Sequence, residues 1–387
     1  MSVTAAPGFV GAGVACGIKG SGDPDLSLVA TEDSAPVAAA AVFTANKSTA
    51  APVVVSRAHL AATGGRTAGV ILNSGNANAA TGAAGKEAAE RMCAAAAAEL
   101  GCAAEELLVC STGLIGIPLP VEKIEAAAGA LAAARSVDGG ADAARAILTT
   151  DTHAKEVVVR RQGLTVGGMA KGAAMLAPNM ATMLAVLTTD AEVEPDRLTT
   201  MLQQAVAQSF NTLTVDGCTS TNDTVIVLAN GRAGAVDEAE LQMALTAACT
   251  DLAEQMAGDA EGATKVVRVR VTGAASDAEA AAGARKIAES QLCKCSWYGQ
   301  DPYWGRLVSE LGSAGIEFDP DLVQVAYGGV VVAAEGIAVA HDEERVRQHM
   351  AGRHLDIAAD LGIGKGSASV LTNDLTHAYV DENMGTS

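Results

Sequence analysis

Short extended runs and alanine-rich helical stretches alternate from one end of this chain to the other, with no proline-rich or low-complexity linker between them. Each strand must bury a face and each helix a stripe, so such elements have to stack in layers. In the first third, "APVVVS" (51–56) and "AGVILN" (68–73) read as extended. "GKEAAERMCAAAAAEL" (85–100) and "PVEKIEAAAGALAAA" (120–134) read as helices, the second with proline in its first turn. Between them, "LLVCSTGLIGIPLP" reads as a strand ending in Ser111, Thr112 and Gly113, where backbone N–H groups can be left to face a ligand. Beyond residue 150, "KEVVVRRQGLTVGGMA" predicts a hairpin, "EPDRLTTMLQQAVAQSF" a helix, "TVIVLANG" a strand and 237–259 a long amphipathic helix. "KVVRVRVT" (265–272) alternates with period two, 276–290 predicts a helix, and from about 320 the chain returns to strands around one charged helix near "DEERVRQHM". The expected class is mixed α/β in several layers.

Composition narrows the partners. Aromatic residues make up 3% of the 387, and alanine and glycine fill the small positions, so the core has to be built from short, closely packed side chains. That length suits two or three domains at about 150 residues each. A formal net charge of −19 argues against a nucleic-acid partner, since neutralising phosphates needs clustered Lys and Arg. The first residues lack a basic and then apolar leader pattern, and no long stretch is free of polar groups, so the expectation is a soluble, cytoplasmic protein with no membrane partner. Eight cysteines are scattered, and the pair in "CKCSW" has neither C-x-x-C spacing nor a histidine cluster, so neither a metal nor another cofactor is expected.

Familiar catalytic patterns are absent. "GIGKGS" (362–367) lacks the spacer of a phosphate loop and stands between two strands, which predicts a hairpin turn. There is no G-x-S-x-G elbow, and the six histidines show no metal or nucleophile spacing. A threonine nucleophile needs no histidine. At a new chain N-terminus its own α-amino group, with a pKa near about 7.7–8.0, can act as base. Thr182 in "KGAAMLAPNMATMLAVLTTDA" follows the small Ala181 and the stiffening Pro178, so its Oγ could attack the preceding carbonyl and free it as a terminus, given an oxyanion hole such as "STG" at 111–113. A half-buried core threonine is the plainer reading of the same residue.

The stretch "GMAKGAAMLAPNMATMLAVLTTDA" closely resembles the self-processing signature of the ornithine acetyltransferase family, also called bifunctional glutamate N-acetyltransferases. The resemblance continues through "GIKGSGDPDL", "AVFTANKSTAAPV", "ILNSGNANAATG", "VCSTGLIG", "AILTTDT", "FNTLTVDGCTSTNDTVIVLANG", "GDAEGATK", "DPYWGR" and "NDLTHAYVDEN". It implies a layered mixed α/β sandwich of the self-processing DmpA/ornithine acetyltransferase type, with a smaller C-terminal α/β domain from about residue 265. It further implies cleavage at Ala181–Thr182 into an α chain (1–181) and a β chain (182–387), associated as an α2β2 heterotetramer. Thr182 would carry acetyl from N2-acetyl-L-ornithine to L-glutamate in a ping-pong reaction, with acetyl-CoA as a donor in some members. Thr112 and Gly113 match the oxyanion hole; Lys171, Thr149 or Thr150, Glu261, Asn383 and Ser387 match substrate-binding positions. The ending "ENMGTS" lacks the tyrosine of the family's usual tail, Tyr303 replaces the commoner asparagine, and Cys218 stands where many members carry aspartate or serine. Two other readings share the sequence: a self-processing amidohydrolase or aminopeptidase of the DmpA type, and an unprocessed paralogue that binds an acylated amino acid.

Overall fold

The strands pair into three sheets, one of four strands and two of six. The computed structural model describes residues 2–175 and 183–385. Contacts group them into two units, Met1–Asn211 with Thr219–Met256, and Thr212–Cys218 with Ala257–Thr386.

In the first unit the elements run β1 (Phe9–Val14), β2 (Leu26–Thr31), β3 (Val37–Phe43), α1 (Ala51–Ala62), β4 (Arg66–Thr67), β5 (Gly69–Asn76), α2 (Gly82–Leu100) and β6 (Leu107–Leu114). They continue with α3 (Val121–Ala133), α4 (Gly140–Ala146), β7 (Lys155–Arg161), β8 (Leu164–Lys171), β9 (Leu184–Glu192), α5 (Pro195–Gln208), β10 (Thr224–Ala235) and α6 (Glu238–Gly258). One sheet has the order β1-β2-β5-β6 and the other β4-β3-β10-β9-β8-β7. Period-two alternation sorts their faces. Val29, Val70, Leu72 and Leu108 of the first sheet meet Met169, Val186, Ile226 and Leu228 of the second in one core. The opposite residues of the first sheet, among them Leu28, Ile71 and Val109, pack on Ala89, Met92 and Cys93 of α2 and Ile124 of α3. Helix α5 lies beside β3, and Gln255 of α6 exchanges hydrogen bonds with the Glu156 backbone of β7, so helices cover the second sheet too. The result is four layers, with alanines at many of the contacts. Each buried Leu or Ile contributes about 1.5–3 kcal/mol, while alanine contributes less area but lets layers close up.

The valine run at 53–55 forms part of α1 rather than an extended segment. Pro52 starts the helix, and Pro52, Val55, Ser56 and His59, at helical spacing, are buried while Val54 is exposed. Ser56 Oγ donates to the Val109 carbonyl and accepts its N–H, and His59 Nδ1 pairs with the Leu107 carbonyl, so packing on β6 outweighs the strand preference of valine. Pro120 caps α3 instead of lying in its first turn.

The second unit holds β11 (Val266–Ala274), α7 (Asp277–Glu289), α8 (Gln291–Tyr298), α9 (Gly305–Gly312), β12 (Gln324–Tyr327), β13 (Val330–Ala334) and β14 (Ile337–Ala338). It closes with α10 (Glu343–Ala351), β15 (His354–Asp360), β16 (Gly366–Asn373) and α11 (His377–Glu382). The sheet order is β14-β13-β12-β15-β11-β16, and one face packs through Val269, Val325, Ile357 and Val370 against Ile287 of α7, Trp297 of α8, Leu311 of α9 and Met350 of α10. Because β11 lies between β15 and β16, "GIGKGS" is not a hairpin turn: it carries the chain past the end of β11. Gly366 touches the Ser276 backbone there, where a Cβ would come within 2.2 Å, so only glycine permits the crossing.

Among the described residues no helix is long and apolar enough to cross a membrane, and no group of three His, Cys, Asp or Glu could hold a metal ion. Cys293 of "CKCSW" is buried and Cys295 exposed, on one turn of α8.

Candidate active site

Strands β5 and β6 run parallel, and their ends close on each other at two glycines. Gly75 and Gly113 have φ of +95° and +133°, and a Cβ on Gly113 would lie 2.3 Å from the Gly75 carbonyl carbon and 2.5 Å from the Asn76 nitrogen. Glycine here allows the strand ends to converge. Thr112, just before, is buried, and Gly113 is exposed. Asn76 Nδ2 donates to the Ile117 and Pro118 carbonyls and folds the following turn back over this end.

Two consecutive side chains of the segment leading into β10 tie this turn to the start of β9. Asn222 Nδ2 donates to the Ser111 carbonyl at 2.9 Å and to the Ala77 carbonyl at 2.6 Å. Asp223 Oδ1 accepts the Met183 N–H at 2.9 Å. Thr221 Oγ1 donates to Asn222 Oδ1 at 2.6 Å and fixes the amide's orientation. Burial pushes the Asp223 carboxyl well above its ordinary range, against the opposing Met183 N–H. Its Oδ2 makes no hydrogen bond among the described residues. The peptide joined to Met183 is that of Thr182, so the two tethers address the residue pair Ser111–Thr112 and the residue following Thr182.

A charged cluster forms at the end of β8 and before β7. Lys171 Nζ donates to Thr149 Oγ1 at 2.7 Å and lies 3.5 Å from Asp151 Oδ2. Asp151 Oδ1 accepts from Lys155 Nζ at 2.6 Å and from the Gly172 N–H at 2.7 Å. Burial opposes the Asp151 charge, yet the Lys171 and Lys155 ammoniums and the Gly172 N–H outweigh it and hold the carboxyl below its usual range. Of the two candidate threonines, Thr149 is the one bonded to Lys171, and Thr150 is exposed.

In the second unit, Glu261 and Asn383 meet. Glu261 is buried, and its Oε2 accepts from Asn383 Nδ2 at 2.8 Å. Asn383 follows α11 and also donates to the Tyr379 carbonyl. Thr376 Oγ1 binds the Gly262 carbonyl and caps α11 at Tyr379, and Asp374 accepts the Thr264 and Lys265 N–H groups. A cavity of about 420 Å³ in the first unit lies elsewhere, between α2 and the turn at Gly116–Val121, and a smaller one of about 120 Å³ in the second is lined by Glu261, Asp216, Lys294 and Tyr379. Ala181, Thr182 and Ser387 lie outside the described residues.

Comparison with known proteins adds the decisive fact. The ArgJ family pattern matches residues 10–385. The arginine biosynthesis bifunctional protein ArgJ of Thermobifida fusca is 47% identical over 99% of this chain and 99% of its own length. This chain belongs to the ArgJ family.

Other ArgJ relatives are equally full-length: that of Streptomyces coelicolor is 47% identical, again over 99% of both chains. Among solved structures, a chain of the ornithine acetyltransferase of Mycobacterium tuberculosis, in complex with ornithine, is 44% identical, with a TM-score of 0.41, over 46% of this chain and 94% of its own. Sequence reading passed over Asn222, Asp223, Asp151 and Lys155, although "TSTNDT" and "TTDT" lie inside the stretches that carry the ArgJ resemblance. Their partners are mainly backbone atoms and one another, which no spacing rule encodes.

Proposed function

We propose that this chain cuts itself between Ala181 and Thr182 and then transfers acetyl from N2-acetyl-L-ornithine to L-glutamate. In the first half-reaction Thr182 Oγ bonds to the acetyl carbon, the C–N bond breaks, and the α-amino group of Thr182 passes the hydroxyl proton to the departing ornithine amine. In the second, the glutamate amine attacks the acetyl ester and Thr182 Oγ recovers its proton. Thr112 and Gly113 supply donors to the oxyanion of both tetrahedral intermediates, each worth on the order of 10² to 10³ in rate. Lys171, with Thr149, takes the α-carboxylate, and Glu261, with Asn383, takes the δ-ammonium of ornithine. Ser387 contributes to substrate binding, and the two fragments assemble as α2β2 in the cytoplasm.

The observation that supports this best is the tandem Asn222–Asp223, whose side chains reach the carbonyl preceding Thr112 and the N–H following Thr182. A core threonine would need no such pair of buried tethers. Intact mass of the purified protein tests the reading: two fragments are expected, the second beginning at Thr182, and acetylornithine with labelled glutamate should yield labelled acetylglutamate. A single uncut chain that is active, or free acetate as the product, would defeat it.

A further inference from the structure

The cluster of Lys155, Asp151 and Lys171 holds one carboxylate and two ammoniums, with side-chain exposures of 0%, 0% and 4%. Lys171 has to share Asp151 with Lys155, and a buried ammonium so shared is costly until an anion joins it. The carboxylate is shared unequally. Oδ1 makes a short, charge-assisted bond of 2.6 Å to Lys155, whereas Oδ2 stands 3.5 Å from Lys171, beyond good hydrogen-bond length. Lys155 opens β7 and Lys171 ends β8, and neighbouring register pairs Lys155 with Ala170. Thus the hairpin fixes both ammoniums on either side of Asp151. An ammonium has three donors: in Lys171 one goes to Thr149 Oγ1 and one faces Asp151, and among the described residues no third partner is present.

We infer that Lys155 is a positioning residue for carboxylate recognition: by engaging Asp151 it leaves the Lys171 ammonium only partly compensated, so that the subsite presents a net positive charge to an amino-acid α-carboxylate. This deepens the proposed function, resting on its assignment of Lys171. Without Lys155, Asp151 would turn wholly to Lys171, and the subsite would become neutral. With Asp151 and Lys155 both removed, the net charge returns.

Calorimetric binding of L-ornithine and of L-ornithinamide, which differ in the carboxylate, reads this without turnover. The unaltered protein should bind ornithine on the order of 10- to 100-fold more tightly, the worth of one charged hydrogen bond. Lys155→Met should bring the ratio to within about threefold, chiefly by weakening ornithine, and the Asp151→Asn/Lys155→Met double variant should restore it. A merely structural lysine would weaken both ligands alike in the single variant and would not be rescued by the second change. The inference is overturned by an unaltered ratio in Lys155→Met, by equal binding of the two ligands to the unaltered protein, or by a collapsed ratio in the double variant. Should Lys155→Met not fold, Lys155→Gln, which removes the charge and keeps a donor for Asp151, takes its place with the same expected and overturning results. Loss of acetyl transfer with the ornithine ratio intact would count against the proposed function and leave this inference standing.

Discussion

Asp223 Oδ1 accepts the N–H of Met183 at 2.9 Å, so a buried carboxyl holds the first described residue after Thr182. Burial pushes that carboxyl well above its ordinary value of 3.8. The folded chain therefore binds more protons here than the unfolded one, and the group's contribution is greatest below the unfolded pKa and is lost as pH rises through the folded value. Asp223→Asn keeps an acceptor for Met183 and removes the titration. Melting temperatures from about pH 5 to about pH 8 should show the variant gaining on the unaltered protein as pH rises; parallel curves would refute a raised Asp223.

Asn222 carries a different load. Asn222→Ala leaves the buried Ser111 and Ala77 carbonyls without their amide donor, at a cost of about 1–3 kcal/mol measured by denaturant unfolding. Because Ser111 precedes Thr112, acetyl transfer should fall by roughly 10- to 100-fold as well. Lower stability with an unchanged rate would reduce Asn222 to a structural tether.

The Glu261–Asn383 pair predicts a selective effect on binding. Glu261→Gln removes the charge that we propose meets the δ-ammonium, so KM for acetylornithine should rise by about 10- to 100-fold. Self-cleavage, followed as fragment appearance on a gel, should keep its rate. A variant that also fails to cleave would show that Glu261 supports folding more than substrate.

Two glycines of the same turn separate strain from crowding. Gly113→Ala places a Cβ 2.3 Å from the Gly75 backbone, whereas at Gly116, with φ of +81°, a Cβ meets nothing within 4 Å. Gly116→Ala should thus cost only about 1–2 kcal/mol of left-handed strain. Gly113→Ala should cost more in thermal melts and block fragment formation; equal effects would mean that the strand ends can part without consequence.

Much of this was legible in the sequence because it is local. The hairpin read in "KEVVVRRQGLTVGGMA" is β7 and β8, "TVIVLANG" is β10, the period-two run at 265–272 is β11, and the helical stretches at 85–100, 194–210 and 237–259 are α2, α5 and α6. Failures arose where partners are distant. The valines at 53–55 favour strands, but their fate depends on Ser56 and His59 reaching β6. "GIGKGS" is a plausible hairpin turn until β11 is found between its flanking strands. At the site, resemblance pointed to Lys171 and to either of two threonines, and the bond of Lys171 to Thr149 is a relation between distant positions that the sequence does not record. Asn222 and Asp223 act on backbone atoms up to 145 positions away, a relation that composition and spacing do not record.

The strand order β4-β3-β10-β9-β8-β7 has a consequence for a cut at Ala181–Thr182. The C-terminal fragment supplies β9 and β10, and these lie between β3 and β8, both from the N-terminal fragment. The pieces are braided, not merely docked. Separation would require unzipping a ladder on each side and exposing the shared core at once, so the two pieces of a cut chain would stay together. Fragments made separately would each carry raw strand edges and should aggregate before they found one another. Continuity of the chain is then a requirement of assembly alone, and the finished protein can discard it.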